Sequence, residues 1–410
     1  MSATALGVVS GCTSIESGMP VRDPNHDPLA VNAVLLDPGP FSTEVRPLGN
    51  AGSFHAGRRL ESIRLGEYVV SPAQVEPSLL KGSVGYPDAS GPLTEQAKRL
   101  IEYFHQSEVA EAVDLNDVVA GFGFKNEVKE SYSYSGGAAV LRFNTPEAAQ
   151  RNADALVAAA KTDTKGTDPR MAAIPGHPET SAVMVNREFG RGNTFLTAVT
   201  VRGDLLLLQS VNGRDPELDS LASSFGTGEA LVGRILDRQI PLLEKYHPTP
   251  VADYANLPED PTGLLAHTVP FNRDTSAYET RKEGTYGPQS ALAYQGDPLA
   301  IAEAFESSGT TSVLIRRTRI FLTRDSASAT ELAEALAAQA QGDNRTFDGG
   351  IDGFPTARCY QASDGKTPRD LTSNYCQSVA GKYVIDVFDD GDARRIRQLL
   401  SAQFLLLPQG

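Results

Sequence analysis

The 410-residue chain has no tryptophan, four methionines, six histidines and three cysteines. Without tryptophan it lacks the indole face that most often stacks on sugar rings, although 13 tyrosines remain. Basic charge is in short supply: 37 Lys and Arg stand against 51 Asp and Glu, a net charge of −14. Such a surface repels phosphate backbones and anionic headgroups, and no basic run tracks a nucleic acid, so nucleic acid is excluded as a partner. No apolar run after Cys12 reaches the ~18 residues of a membrane-crossing helix. The longest candidates, such as Leu205 to Leu208, read as short strands.

Catalytic signatures are missing as well. There is no HExxH, no GxSxG elbow, no phosphate-cradling GxxxxGK[ST] and no strand–GxGxxG–helix; Gly121 to Phe124 lacks the third glycine. Ser133 to Gly137 reads as a turn before a strand. His26, His55, His105, His177, His247 and His267 fall in turns, linkers or helix ends, where surface and capping roles prevail. The acidic runs Asp348 to Gly353 and Asp389 to Asp392 have no EF-hand register, and turn and helix-start chemistry explains both. Neither Cys359 nor Cys376 has a CxxC partner or a nearby His, which argues against zinc. No catalytic residue, metal or cofactor is therefore assigned.

What is present suits a folded, two-domain chain: 40% hydrophobic and 21% charged residues over 410 positions. The first cysteine closes Val9-Ser10-Gly11-Cys12, an aliphatic residue and two small ones before the thiol, which is the pattern of a bacterial lipobox. Met1 to Val8 lacks the Lys or Arg and the apolar core of a signal segment. A translation start placed too far downstream explains this. The competing reading is a disordered tail with a chance cysteine. From Thr13 to Pro40 the chain carries Pro20, Pro24, Pro28, Pro38 and Pro40 with few large apolar residues, the composition of a spacer.

Cys359 and Cys376 flank the polar turn SDGKTPRDLTSN with a strand-like segment on each side. That hairpin geometry suits a disulfide, and a disulfide requires an oxidising compartment. Two buried free thiols are the alternative.

Two later regions repeat one order of elements. In the first, a strand GGAAVLRF precedes a helix capped by Thr145 with Pro146 at its first position. Then follow IPGHP, a strand TSAVMVN, a hairpin turning at Arg202-Gly203-Asp204, and a helix TGEALVGRILDRQIPLL. In the second, RIFLTR precedes a helix SATELAEALAAQA, then IDGFP, TARCYQA, a hairpin turning at Ala380-Gly381, and a final helix. A further helix precedes each copy, at Thr94 to Ala112 and Pro298 to Ser307. The spacing predicts an α+β fold of two tandem related units, each a mainly antiparallel sheet with helices packed on one face. The expected organisation is a residual signal segment at 1–11, a flexible tether at 12–40, domains at 41–245 and 297–410, and a Pro/Gly/Tyr-rich linker at 246–296. Before the first repeat, Gly57 to Val70 reads as a helix. Its Arg58, Arg59, Glu61, Arg64 and Glu67 suit a solvated face, or else a docking helix.

Cys12, the stretch LLDPGPFSTEVRPLGNAGSFHAGRRLESIRLGEYVVSP, the late NYCQSVAGKYV and the terminal RQLLSAQFLLL resemble a family of uncharacterised lipoproteins from mycolic-acid-bearing actinobacteria. The resemblance spans most of the chain and is most specific from Leu35 to Pro72. It carries no catalytic residues. It implies an extracytoplasmic protein on the outer face of the cytoplasmic membrane, held there by a lipid on Cys12. With no catalytic constellation, the expected function is non-catalytic binding of an envelope ligand or protein, in a cleft between the units. A hydrolase of envelope lipid, glycan or peptide is the alternative.

Overall fold

Alternating apolar runs and turn residues in 118–214 fold as antiparallel hairpins. The computed structural model describes residues 30–79, 81–82, 90–93, 110–114, 116–128, 131–162, 167–187, 193–214, 227–272, 280–342, 345–362, 374–389 and 392–408. Cys12, the 1–11 segment, His26, His105 and most of the helix expected from Thr94 lie outside these residues.

The first sheet contains Lys81–Gly82 (β1), Gly91–Pro92 (β2), Val118–Val128 (β3), Ser131–Phe143 (β4), Thr167–Ala172 (β5), Ser181–Arg187 (β6), Asn193–Arg202 (β7) and Leu205–Arg214 (β8). Its order is β1-β3-β4-β8-β7-β6-β5, with β2 also on β3. The second sheet contains Gly284–Tyr286 (β9), Ser312–Ile315 (β10), Thr318–Leu322 (β11), Arg345–Ile351 (β12), Phe354–Ala362 (β13), Asn374–Ala380 (β14) and Tyr383–Asp389 (β15), in the order β12-β13-β14-β15-β11-β10-β9. Every pairing in both sheets is antiparallel.

The helices are Phe54–Gly66 (α1), Pro146–Lys161 (α2), Gly228–Leu243 (α3), Pro298–Ser308 (α4), Ser326–Gly342 (α5) and Ala393–Leu406 (α6), with a short turn of helix at Pro288–Ala291. Four N-caps follow the expected chemistry. Thr145, Thr227, Asp297 and Asp392 each accept the backbone N–H three residues on.

The two units are the same fold twice: β3-β4-α2-β5-β6-β7-β8-α3 and β10-β11-α5-β12-β13-β14-β15-α6 have the same strand order. Each carries two strands more than the sequence pattern suggests. The hairpins also share their register. Arg202 pairs with Leu205, and 178 residues later Ala380 pairs with Tyr383. The turn glycines Gly203 and Gly381 have φ of +60° and +56°, a conformation open to glycine at no steric cost.

The helices lie on both faces of each sheet rather than one. Against the first sheet, α2 packs on Ala139, Leu141, Phe143, Val183 and Val199, and α3 on Ala138, Val140, Leu196 and Leu207. Against the second, α5 packs on Phe321 and Val384, and α6 on Leu314, Ile320, Ile385 and Val387. Consecutive residues of the central strands are apolar and buried, so neither face tolerates water and each requires its own helix layer.

Residues 31–40, read as part of a tether, are docked. Leu36 is buried against the α6 face, with Val31, Phe41 and Leu48 packed on the same cluster. Asn32 N–H donates to Gly353 O at 2.7 Å, and Gln398 Nε2 to Asp37 at 2.7 Å. The segment 31–48 is thus a strap across the second unit. Residues 54–79 cover the equivalent face of the first unit. The 246–296 segment does more than link: β9 pairs with β10, and Tyr286, Leu292 and Tyr294 are buried. One continuous buried cluster takes in residues of both units, so the described residues pack across their junction.

One internal comparison yields a stability prediction. Gln209 on β8 is wholly buried, and among the described residues neither carboxamide atom has a hydrogen-bond partner. The matching position of the second unit is Val387. A buried amide without partners costs roughly 1–3 kcal/mol. Gln209→Met keeps the length and removes the polar atoms, so its urea midpoint should rise. An unchanged or lower midpoint would mean that the amide is satisfied in solution.

Candidate functional site

Cys359 on β13 and Cys376 on β14 stand directly opposite each other and are joined by a disulfide. Both sulfur-bearing residues are buried in the α6-face core. The matching pair in the first unit is Ala182 and Ala198, also directly opposite each other. Spacing and flanking strands were enough to suggest this bond.

Two networks centred on carboxylates of the α1 region, Glu61 and Glu67, leave no local signal in the sequence. Glu61 is wholly buried. It accepts from Tyr246 OH at 2.5 Å, Thr249 N–H at 3.0 Å, Thr249 Oγ1 at 2.8 Å, and Arg64. Beside it, Arg142 donates to Asp204 at 2.9 Å and to Thr249 O at 2.8 Å. Burial, and then the Glu61 charge, push the Tyr246 hydroxyl well above its ordinary range, so it stays a donor. Six residues later, at the C-cap of α1, Glu67 accepts from Ser290 N–H at 2.7 Å and Ser290 Oγ at 2.5 Å, with Gln289 N–H at 3.3 Å. Burial raises its pKa. Neither a solvated face nor an external docking helix describes α1. It is an internal strut between the units, because Arg59, Glu61 and Arg64 find partners more than 180 positions away.

A third network lies under α5. Tyr375 OH donates to Asp386 at 2.8 Å and lies 2.7 Å from Gln377 Oε1, and Gln377 Nε2 donates to Ala333 O at 2.9 Å. Phe388 stacks beside Tyr375, with Arg319 and Arg345 over its ring. Burial raises Asp386 from 3.8 to about 6, against the pull of Tyr375 and the two arginines. The folded state therefore holds this proton to higher pH than the unfolded chain does. Stability should fall as pH rises from about 4 to about 6 and then level off, by up to about 3 kcal/mol. Asp386→Asn should flatten that slope in urea titrations at pH 4, 5, 6 and 7. An unaltered slope would assign it to other groups.

The described histidines sit in four separate surroundings. His177, in the turn between β5 and β6, has Nε2 at 3.0 Å from Asp237 and Nδ1 at 3.7 Å from Glu179. Both ring nitrogens face carboxylates, which leaves neither directed at a hydroxyl nucleophile. His267 Nδ1 meets Leu406 O at 2.7 Å and ties the end of α6. His247 presents its carbonyl to Arg64, and His55 packs edge-on against Phe54. Ser133 to Gly137 lies within β4, and Gly121 to Phe124 within β3. Asp348 pairs with Arg397 at 2.6 Å, and Asp392 caps α6. Among the described residues, no three His, Cys, Asp or Glu are grouped to hold a metal ion, and no helix is long and apolar enough to cross a membrane.

These features define a tandem α+β protein: two related antiparallel sheets, each between helix layers, strutted by α1 and stapled by one disulfide. The chain belongs to the DUF7373 family. Its residues 48–259 match "Domain of unknown function (DUF7373) N-terminal", and residues 264–410 match the corresponding C-terminal domain. No curated protein matches it in sequence. Among solved structures it is similar to the extracellular domain of PknH from Mycobacterium tuberculosis, at 14% identity and a TM-score of 0.28. That match covers 48% of this chain and 100% of the other.

Proposed function

We propose that the protein is an extracytoplasmic, lipid-anchored envelope protein whose folded body binds a partner without catalysing a reaction. The observation that carries this reading is the Cys359–Cys376 disulfide, buried between β13 and β14 of the second sheet. A core disulfide of this kind forms and persists in an oxidising compartment. The Val9-Ser10-Gly11-Cys12 pattern supports the anchor. Triple acylation there gives stable membrane attachment, because each buried methylene adds about 0.8 kcal/mol. The packed junction between units favours recognition on the outer surface over a small ligand held between them. The geometry of His177, with a carboxylate at each ring nitrogen, favours binding over hydrolysis.

Intact mass of the protein expressed from its own locus, membrane against soluble fraction, is the test. An acylated N-terminal cysteine at position 12, with the two-proton deficit of the disulfide, is the expected result. An unmodified terminus in the cytosolic fraction with three reduced thiols would overturn the reading.

A further inference from the structure

Six large hydrophobic side chains are exposed among the described residues, and four of them, Val34, Leu35, Val45 and Phe54, fall within one stretch of 21 residues. Val34 is 91% exposed and Leu35 58%. They sit on a short 3-10 turn, Ala33–Leu35, that is fixed in place rather than loose. The Asn32 side chain accepts from Val34 N–H at 3.2 Å, and the Asn32 backbone N–H is bonded to Gly353. The next residue, Leu36, is buried. The strap therefore holds a pair of aliphatic side chains out into water, where they gain nothing.

The position of this turn in the chain indicates what covers it. Val34 lies 22 residues after Cys12, a reach of at most about 75 Å at ~3.4 Å per residue. A lipid on Cys12 keeps the turn near a bilayer at high effective concentration, so even weak insertion is populated. Close by in the chain, Asp37 is matched by Arg394 at 3.5 Å and by Gln398 at 2.7 Å. An exposed aliphatic tip of this kind suits the headgroup boundary of a bilayer. We infer that Val34 and Leu35 form a lipid-contacting tip that seats the second unit on the membrane surface.

This inference rests on the reading of Cys12 as the anchor, so the test supplies the anchor chemically. With Cys359 and Cys376 bonded to each other, Cys12 is the one free thiol and couples to phosphatidylcholine vesicles carrying a maleimide lipid. The chain has no tryptophan, so Val34→Trp introduces a single indole reporter. On coupling, its emission should move to shorter wavelength and be quenched by brominated acyl chains. Met171→Trp, at a 55% exposed position on β5, should show neither change. An indole at position 34 that stays water-exposed on the vesicle would overturn the inference. A wavelength shift without quenching would also do so, because it marks contact with protein and not lipid. A failure of native acylation would show in the mass measurement above and not here.

Discussion

Glu61→Leu is expected to destabilise the protein by about 3–5 kcal/mol, because it strands the buried donors that now converge on one carboxylate. Tyr246 OH, Thr249 N–H and Thr249 Oγ1 all point at Glu61 in a site closed to water. Leucine supplies volume but no acceptor. Glu61→Gln keeps one carbonyl oxygen and should lose distinctly less. Arg64→Ala removes the half-exposed cation but leaves the three neutral donors on Glu61 in place, and should cost least of the three. Urea denaturation of the three variants gives the ranking Leu, Gln, then Arg64→Ala. A loss below that of Arg64→Ala for Glu61→Leu would show that the network is not formed in solution.

Replacing both bonded cysteines with alanine should cost about 3 kcal/mol, the loop-closure value for a sequence separation of 17. The first unit makes this variant easy to interpret. It already carries Ala182 opposite Ala198 at the matching register, so paired alanines pack acceptably in this sheet. The loss therefore reports the covalent link rather than a badly filled core. Wild-type protein in excess reductant should fall to the same urea midpoint as Cys359→Ala/Cys376→Ala. Two different midpoints would mean that thiol packing contributes separately. No change in either would deny the staple a stabilising role.

Local signals carried the sequence reading as far as local signals go. The Thr145-Pro146 start of α2, the turns at Gly203 and Gly381, and the paired cysteines are written within a few residues of the features they specify. The strands β5 and β12 were not legible, because both lie at sheet edges. β5 reads Thr-Asp-Pro-Arg-Met-Ala and is almost wholly exposed, so it shows no alternation. Helix α1 was misread for the opposite reason. Arg58 and Glu61 look like a solvated face, yet both are buried, and the neutral donors that join Arg64 on Glu61 stand at Tyr246 and Thr249. A window of 11–18 residues shows the local ion pair and not these distant donors. The docking of 31–40 was hidden in the same way. Its proline content suggests a spacer, while Gly353 and Gln398, which hold it, lie over 300 residues downstream. Of the site residues, the cysteines were visible because their chemistry is rare in the chain, and the carboxylates were not because theirs is common.

The strap and strut also set an order in time. Chains are synthesised N-terminus first. Residues 31–48 find their partners only when Gly353 and α6 arrive, and Glu67 waits for Ser290. The earliest segment is thus among the last to fold, and closing loops of that length is intrinsically slow. While the C-terminal unit is still being made, residues 31–48 stay undocked, and completion of α6 then draws them onto the folded body.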